Sequence, residues 1–295
     1  MHNSKEEENL PKSKSQMDSK PFMDLYWLMK ERAWLEDEWE ALIELWNLCE
    51  NDQQQELIIS LLERFKLINS RDLKHYCEDI ANHICDTWNI NNKSTKIVAL
   101  SDGATPDGSQ YIIQAIKNKF SSRDNWGEEN FRNSLITIGA TPYQLRNGQR
   151  IILIDDFIGT GNTAQRKIRW LKEKINEKGK ENITIYCVSL ACMESAVNVV
   201  EQLGVMLYSP IILKKGITDF FRNEDVSKRI EQMLSIESKL NPVNKKEILP
   251  SLGYGKSESL FAIEGMNVSN NVFPAFWWPL LKGEVERKTI FQRIR

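Results

Sequence analysis

The run Ile151-Ile152-Leu153-Ile154-Asp155-Asp156-Phe157-Ile158-Gly159-Thr160-Gly161-Asn162-Thr163 decides the fold of this chain. It begins with a short apolar stretch, continues through two adjacent acids, and ends in a small polar loop before a helical pattern. A buried parallel strand would carry both acids to its carboxyl end, the edge at which open α/β sheets bind ligands. The run therefore predicts a strand, a ligand-binding turn and a helix in that order.

The loop 159–163 has the composition of a phosphate site. Its glycines allow close approach of the backbone, its threonines supply hydroxyl donors, and its amides lie at a helix N-terminus. Two carboxylates next to a phosphate would repel it unless they accept hydrogen bonds from ribose hydroxyls or lie near Mg²⁺. The expected ligand therefore contains both a sugar and a phosphate.

Apolar runs that alternate with helical stretches predict a parallel sheet with crossover helices, which is a Rossmann-like α/β fold. The helix after the loop should end before Gly179, a residue suited to a left-handed position. Its predicted buried face consists of Ala164, Ile168, Leu171 and Ile175. The predicted strands are 96–100, 135–139, 150–154 and 183–190.

The segments on either side of this core have other patterns. Helical stripes precede it, including one long helix over 22–49 and another for which Ser70 is the predicted N-cap. The C-terminal segment shows no sustained period. We therefore predict a disordered leader at 1–20, a helical N-terminal unit at 21–93, an α/β core at 94–240 and a C-terminal cap packed on the core at 241–295.

The composition is that of a globular protein without a strong charge. Hydrophobic residues make up 41% of the chain, and a formal charge of −2 provides no global basic field for nucleic acid. The cysteine count is five, and an odd number set in apolar patterns favours buried thiols in a reducing compartment. No apolar run approaches the roughly 20 residues of a membrane helix, and no secretory signal opens the chain. We expect a cytoplasmic protein with no membrane contact.

The run 151–163 resembles the signature of type I phosphoribosyltransferases, in which apolar residues precede two acids and a Thr-Gly-rich loop. The resemblance implies that 5-phosphoribosyl-1-pyrophosphate or a related ribose phosphate is the ligand. It implies a catalytic role for Asp155 and Asp156 at the ribose hydroxyls, with Mg²⁺ held mainly through the ligand and either acid as a further metal ligand. The implied 5′-phosphate loop is Gly159, Thr160, Gly161, Asn162 and Thr163. Asn162 departs from the family pattern, which usually has Gly there, but Asn tolerates left-handed backbone.

Two further segments fit the same resemblance. The strand 96–100 runs into the place of the family's pyrophosphate loop, which corresponds to Ser101, Asp102, Gly103 and Ala104. Lys215 and Asp219 suit an acceptor pocket, although a surface turn explains them equally well. Whether the chain is an active phosphoribosyltransferase stays open, as does its acceptor.

The C-terminal sequence, with 253–255 and 267–278, resembles the phosphoribosyltransferase-like domain of bacterial conflict systems, including retron-associated ones. This resemblance implies an effector in bacterial anti-phage defence. It also implies that the N-terminal helices bind a complex of reverse transcriptase and msDNA or a second copy of the chain. The alternative is a non-catalytic ligand-sensing or assembly subunit that keeps the phosphoribosyl site.

Other interpretations of these patterns stay open. The run could be a capped strand-to-helix turn, or a G-x-G-x-x-A dinucleotide loop, although the next strand lacks the required carboxylate. A zinc site is opposed by geometry, because helix neighbours two apart point about 200° away from each other. The residues concerned are His75, Cys77, His83 and Cys85. Trp34, Trp39 and Trp46 lie at helical spacing and suit a core or an interface.

Overall fold

The structure is a computed structural model that describes residues 19–294 apart from 104, 124 and 139–144. Ala104 and most of the predicted leader therefore lie outside the described residues. The α-helices are α1 Ser19–Glu31, α2 Trp39–Trp46, α3 Asp52–Glu63, α4 Ser70–Asn82, α5 Gly108–Lys117, α6 Asn162–Glu177, α7 Glu194–Glu201 and α8 Glu224–Glu237. The strands are β1 Lys66–Ile68, β2 Thr95–Ala99, β3 Phe131–Arg132, β4 Arg150–Ile158, β5 Thr184–Met193, β6 Met206–Tyr208, β7 Ile211–Leu213, β8 Val243–Asn244, β9 Glu247–Ile248, β10 Phe261–Ile263, β11 Leu280–Leu281 and β12 Val285–Glu286.

A parallel sheet in the order β3-β2-β4-β5-β6 forms the centre of the molecule, and β7 also pairs with β5. Helices cover both faces, as the buried clusters show: residues of α4 and α5 pack on one face and residues of α6 and α7 on the other. This arrangement confirms the predicted α/β fold class. The predicted face of α6 is also confirmed, since Ala164, Ile168, Leu171 and Ile175 are buried and Gly179 follows the helix at φ +58°.

A third core joins the two ends of the chain. Leucines and isoleucines of α1–α3 pack in one cluster with α8 and with the aromatic segment Pro274–Phe276, Trp277 and Trp278. β1 also pairs in parallel with β10, so the register places Lys66 opposite Phe261. None of the helices in the described part of the chain is both long and apolar enough to span a bilayer.

The predicted long helix over 22–49 is wrong. The chain leaves α1 at Glu31, passes through a 3-10 turn at Ala33–Leu35 and enters α2 at Trp39. The intervening Glu36, Asp37 and Glu38 precede the positive N-terminal end of α2, where acids are favourable, and this favours a new helix start over a continued helix. Trp46 is buried as expected, whereas Trp39 is 52% exposed.

Two local predictions also need correction. The described part of the segment 135–139 is not a strand but contains a 3-10 turn, Leu135–Thr137. The Ser134 hydroxyl caps the start of this turn by accepting a hydrogen bond from Ile136 N. The sheet edge instead uses β3, just before it. The cap of α4 lies one residue earlier than predicted, because the Asn69 side chain, not that of Ser70, accepts hydrogen bonds from Arg71 N and Asp72 N.

Candidate functional site

The two acids lie near the carboxyl end of β4, and their side chains are hydrogen-bonded to each other. Asp155 lies opposite Ser189 of β5 and points toward the α6 side, where its charge helps to raise the pKa of Cys187 beyond the effect of burial. Asp156 points toward the N-terminus of α5, and a Cβ added at Gly108 would overlap its carboxylate. The two carboxyls thus form a pair, with Cys187 near Asp155 and the start of α5 near Asp156.

Burial dominates the electrostatics of this pair. It raises the pKa of Asp155 well above the usual range, the neighbouring Asp156 charge raises it further, and Lys167 acts in the opposite direction. Burial also raises the pKa of Asp156, against hydrogen bonds that favour its ionised form. A hydroxyl donor or a cation close to the pair would therefore stabilise both ionised carboxylates.

The predicted phosphate loop lies between this strand and α6. Gly161 is the N-cap of α6 at φ +80° and ψ −10°, a left-handed conformation that glycine adopts without strain. Asn162 is the first residue of α6, so its tolerance of left-handed backbone is not used at this position. The loop therefore keeps its shape with Asn162 because the left-handed position falls on Gly161.

A cavity of about 200 Å³ opens above this loop. Asp155 lines it, as do four of the five predicted loop residues, the exception being Asn162. The loop side of the wall consists of Phe157, Ile158, Gly159, Thr160, Gly161, Thr163 and Ala164. One acid and the phosphate loop thus share one cavity, and Asp156 is not among the described residues that line it.

A second part of the cavity wall comes from the C-terminal segment and was missed by the sequence analysis. It consists of Tyr254, Asn270 and Asn271. A Cβ added at Gly159 would overlap the Asn271 side-chain amide, and one added at Gly255 would lie 2.6 Å from Thr160 Cγ2. The C-terminal segment therefore packs directly on the phosphate loop, and part of the requirement for glycine at position 159 is this contact.

The predicted pyrophosphate loop lies next to the acid pair rather than in the cavity wall. Ser101 is buried, and its hydroxyl accepts a hydrogen bond of 3.0 Å from the amide of Gly103, which has φ +73°. Its carbonyl accepts one of 2.9 Å from Leu135 N. These bonds hold the loop in a turn with a left-handed residue at Gly103.

Lys167 of α6 connects this loop to the phosphate-loop helix and was also missed. Its ammonium donates to the Leu100 carbonyl at 2.6 Å and lies 3.4 Å from the Asp102 carboxylate. The side chain is only 11% exposed. No local sequence pattern indicated that Lys167 contacts a loop more than sixty positions earlier.

The structure does not bring Lys215 and Asp219 into the cavity wall. The Asp219 carboxylate accepts a hydrogen bond of 2.8 Å from Lys215 N, which closes a turn after β7. The buried Glu258 carboxylate accepts hydrogen bonds from the backbone amides of Ile217 and Thr218, which follow in the same segment. The polar groups of this segment are thus largely used within the protein.

Comparison with known families gives one match that spans most of the chain. The sequence model of the family described as PRTase-CE matches residues 32–293. No curated protein matches the chain in sequence.

Solved structures with partial likeness include a hypoxanthine-guanine-xanthine phosphoribosyltransferase, at 13% identity and a TM-score of 0.32, covering 49% of this chain and 75% of that one. A hypothetical protein from Neisseria gonorrhoeae with bound ppGpp has 12% identity and a TM-score of 0.34, covering 57% and 96%. Orotate phosphoribosyltransferase from Mycobacterium tuberculosis H37Rv, in complex with inorganic phosphate, has 15% identity and a TM-score of 0.28, covering 52% and 70%.

Proposed function

The chain belongs to the PRTase-CE family, and on that premise we propose that it binds 5-phosphoribosyl-1-pyrophosphate or a closely related ribose 5-phosphate together with Mg²⁺. The observation that carries the proposal is the cavity that Asp155 shares with the amide- and hydroxyl-rich loop 159–163. An acid at one side and anion-binding groups at the other suit a sugar that carries a phosphate.

In the proposed complex the loop amides and the threonine hydroxyls bind the 5′-phosphate, and Asp155 accepts hydrogen bonds from ribose hydroxyls. Asp156, which packs against Gly108 at the start of α5, would act with Asp155 at the ribose hydroxyls. In transfer, the bond between C1′ and the pyrophosphate oxygen breaks and its electron pair leaves with pyrophosphate. The acceptor forms a new bond to C1′ and releases its proton to solvent. Positioning and electrostatic stabilisation supply the catalysis, so no nucleophilic side chain is needed.

The donor groups present fit a magnesium ion that is held mainly through the ligand. Within the described residues, no three or more His, Cys, Asp or Glu side chains form a group that could hold a metal. Mg²⁺ commonly uses one or two carboxylates together with substrate phosphates. Asp155 or Asp156 would be that carboxylate, and the ion would supply charge neutralisation to the departing pyrophosphate.

The test is a thermal shift measured with the full chain. Phosphoribosyl pyrophosphate with Mg²⁺ should raise the melting temperature, because a ligand that binds only the native state stabilises it. The double variant Asp155→Asn with Asp156→Asn should show no shift. A wild-type protein that gives no shift with any ribose phosphate would refute the proposal.

We propose further that the chain is an effector of bacterial anti-phage defence, acting with a reverse transcriptase and msDNA complex or as a self-associated species. The likeness of its C-terminal sequence to domains of conflict systems supports this part. Phage plating on cells that express the wild type should be reduced, and the double aspartate variant should restore it. Equal plating with both proteins would count against a role that depends on this site.

A non-catalytic sensing or assembly subunit is the alternative, and one observation favours it. The residues expected to form an acceptor pocket are hydrogen-bonded to each other through Lys215 N and Asp219. Calorimetric binding of the ligand without pyrophosphate release across candidate acceptors would support this alternative. Steady pyrophosphate release would exclude it.

A further inference from the structure

The C-terminal wall of the cavity is formed by a loop in an unfavourable backbone conformation. Within 252–258, the non-glycine residues Leu252, Lys256 and Glu258 have φ of 60°, 54° and 50°. Gly253 and Gly255 have φ of 79° and 63°. Side-chain-bearing residues seldom adopt such angles, and they persist only where the surrounding structure enforces them.

Three buried polar side chains enforce this conformation. The Glu237 carboxylate accepts hydrogen bonds from Leu252 N at 3.0 and 3.3 Å. The Glu258 carboxylate accepts from Ile217 N and Thr218 N at 2.9 and 2.7 Å. The Asn271 amide donates to the Tyr254 carbonyl at 3.2 Å and to the Ser257 hydroxyl at 3.1 Å. The loop is therefore fixed from the core, from the turn after β7 and from the C-terminal segment.

Two polar residues of the C-terminal segment line the cavity, Tyr254 from this loop and Asn270 from the stretch that pairs with it. Tyr254 is 49% exposed, and its backbone amide donates to the Asn270 carbonyl at 2.8 Å, so the two residues are coupled. Neither the Tyr254 hydroxyl nor the Asn270 side-chain amide has a hydrogen-bond partner within the described part of the chain. Both groups are therefore available to a ligand.

The described lining of the cavity is formed by uncharged residues apart from Asp155. No lysine or arginine lies among the described residues that line it. Among the lining residues, the donors for a phosphate are the loop amides and the hydroxyls of Thr160 and Thr163. The Tyr254 hydroxyl and the Asn270 amide are donors on residues of the same lining that can complete the set.

We propose that Tyr254 and Asn270 bind the phosphate monoester of a pentose together with the phosphate loop, by donating hydrogen bonds to its phosphate oxygens. The assignment rests on the proposed function of the cavity. It adds to that function a second set of ligand-binding residues, drawn from the C-terminal segment, that decides how tightly the sugar phosphate is held.

Calorimetry on the full chain tests the assignment, with ribose 5-phosphate as the ligand and ribose as the phosphate-free comparison. Tyr254→Phe removes one hydrogen-bond donor and keeps the ring. Asn270→Asp replaces the amide with a carboxylate of the same size, whose negative charge repels the phosphate. Each should weaken binding of ribose 5-phosphate by about tenfold or more, since hydrogen bonds to charged groups contribute at this level. The melting temperature without ligand should stay unchanged, which separates binding from folding.

Tyr111→Phe is the matched control, because Tyr111 is similarly exposed, at 46%, and lies on α5 outside the cavity wall. It should bind ribose 5-phosphate as the wild type does. Unchanged binding in both Tyr254→Phe and Asn270→Asp would overturn the assignment while leaving the proposed function in place. A wild-type chain that binds no pentose phosphate would overturn both.

Discussion

Asp155 is held in the folded protein at a cost to stability. Burial and the Asp156 charge raise the pKa of Asp155, so the folded protein favours its neutral form. The stabilisation from this protonation is fully present below the ordinary pKa near 3.8 and is lost as the pH rises. We predict that Asp155→Asn raises the free energy of unfolding at neutral pH, by about 1 kcal/mol, and abolishes ligand binding. Chemical denaturation with and without phosphoribosyl pyrophosphate measures both effects.

Asp102→Asn is the control for that prediction. Its carboxylate is 62% exposed and lies near the Lys167 ammonium, so its removal should not stabilise the protein. If Asp155→Asn were less stable than the wild type, burial would not be the dominant influence on this carboxylate.

The close packing of Gly159 against the Asn271 side chain can be tested by substitution. An alanine at position 159 would overlap the Asn271 amide, so Gly159→Ala should destabilise the protein by about 1–3 kcal/mol through overpacking. In an Asn271→Ala background the same substitution should cost much less. A double-mutant cycle by urea denaturation measures the coupling, and equal costs in both backgrounds would contradict the contact.

At the scale of elements, Lys167 holds the loop after β2 against α6. Lys167→Met would leave the Leu100 carbonyl without this donor and remove the cation beside Asp102, so we predict a loss of about 1–3 kcal/mol. The loop 100–103 should also open more often. Hydrogen exchange of the Leu135 amide reports this directly, because that amide donates to the Ser101 carbonyl.

Lys172→Met provides the matched comparison for Lys167. Lys172 also lies on α6 and also donates to a backbone carbonyl, that of Leu203, far from the loop after β2. Exchange of the Leu135 amide should be faster in Lys167→Met and unchanged in Lys172→Met. The same protection in both variants would mean that Lys167 does not order the loop.

The elements that the sequence predicted well are those whose signals are local. The face of α6 follows from a helical period, and the turn at 159–163 follows from glycines and hydroxyls at the end of an apolar strand. The long helix over 22–49 failed because an acidic run starts a new helix, and 135–139 failed because a serine cap forms a turn from apolar residues. Tyr254, Asn270 and Lys167 were missed because their contacts join segments far apart in sequence, which no single period records.

At the scale of the whole molecule, the N-terminal and C-terminal segments are packed together. Leu57, Leu61 and Leu62 of α3 share a cluster with Trp277 and Trp278. α4 also covers one face of the sheet, with Leu73, Cys77, Ile80 and Ile84 in the cluster that contains residues of β2 and β4. The domain boundaries at 93/94 and 240/241 stay predictions, but the C-terminal wall of the cavity is built on a core to which both ends of the chain contribute.

Glu237 couples that shared core to the cavity loop and should make the stability of the molecule depend on pH. Burial raises its pKa from 4.5 to about 8, and hydrogen bonds from Leu252 and Ser251 only partly oppose this. The stabilisation that its neutral form provides is fully present below about pH 4.5 and is lost as the pH rises to about 8, because the carboxyl ionises at a lower pH in the unfolded chain.

Glu237→Gln keeps an acceptor for Leu252 N without a charge. We predict that the variant equals the wild type near about pH 4 and exceeds it by on the order of 2 kcal/mol near about pH 9. Urea denaturation across this range measures the difference, and Glu231→Gln, an exposed position on α8, should show none of it. A difference that stays constant from acid to alkaline pH would show that Glu237 does not carry this proton in the folded protein.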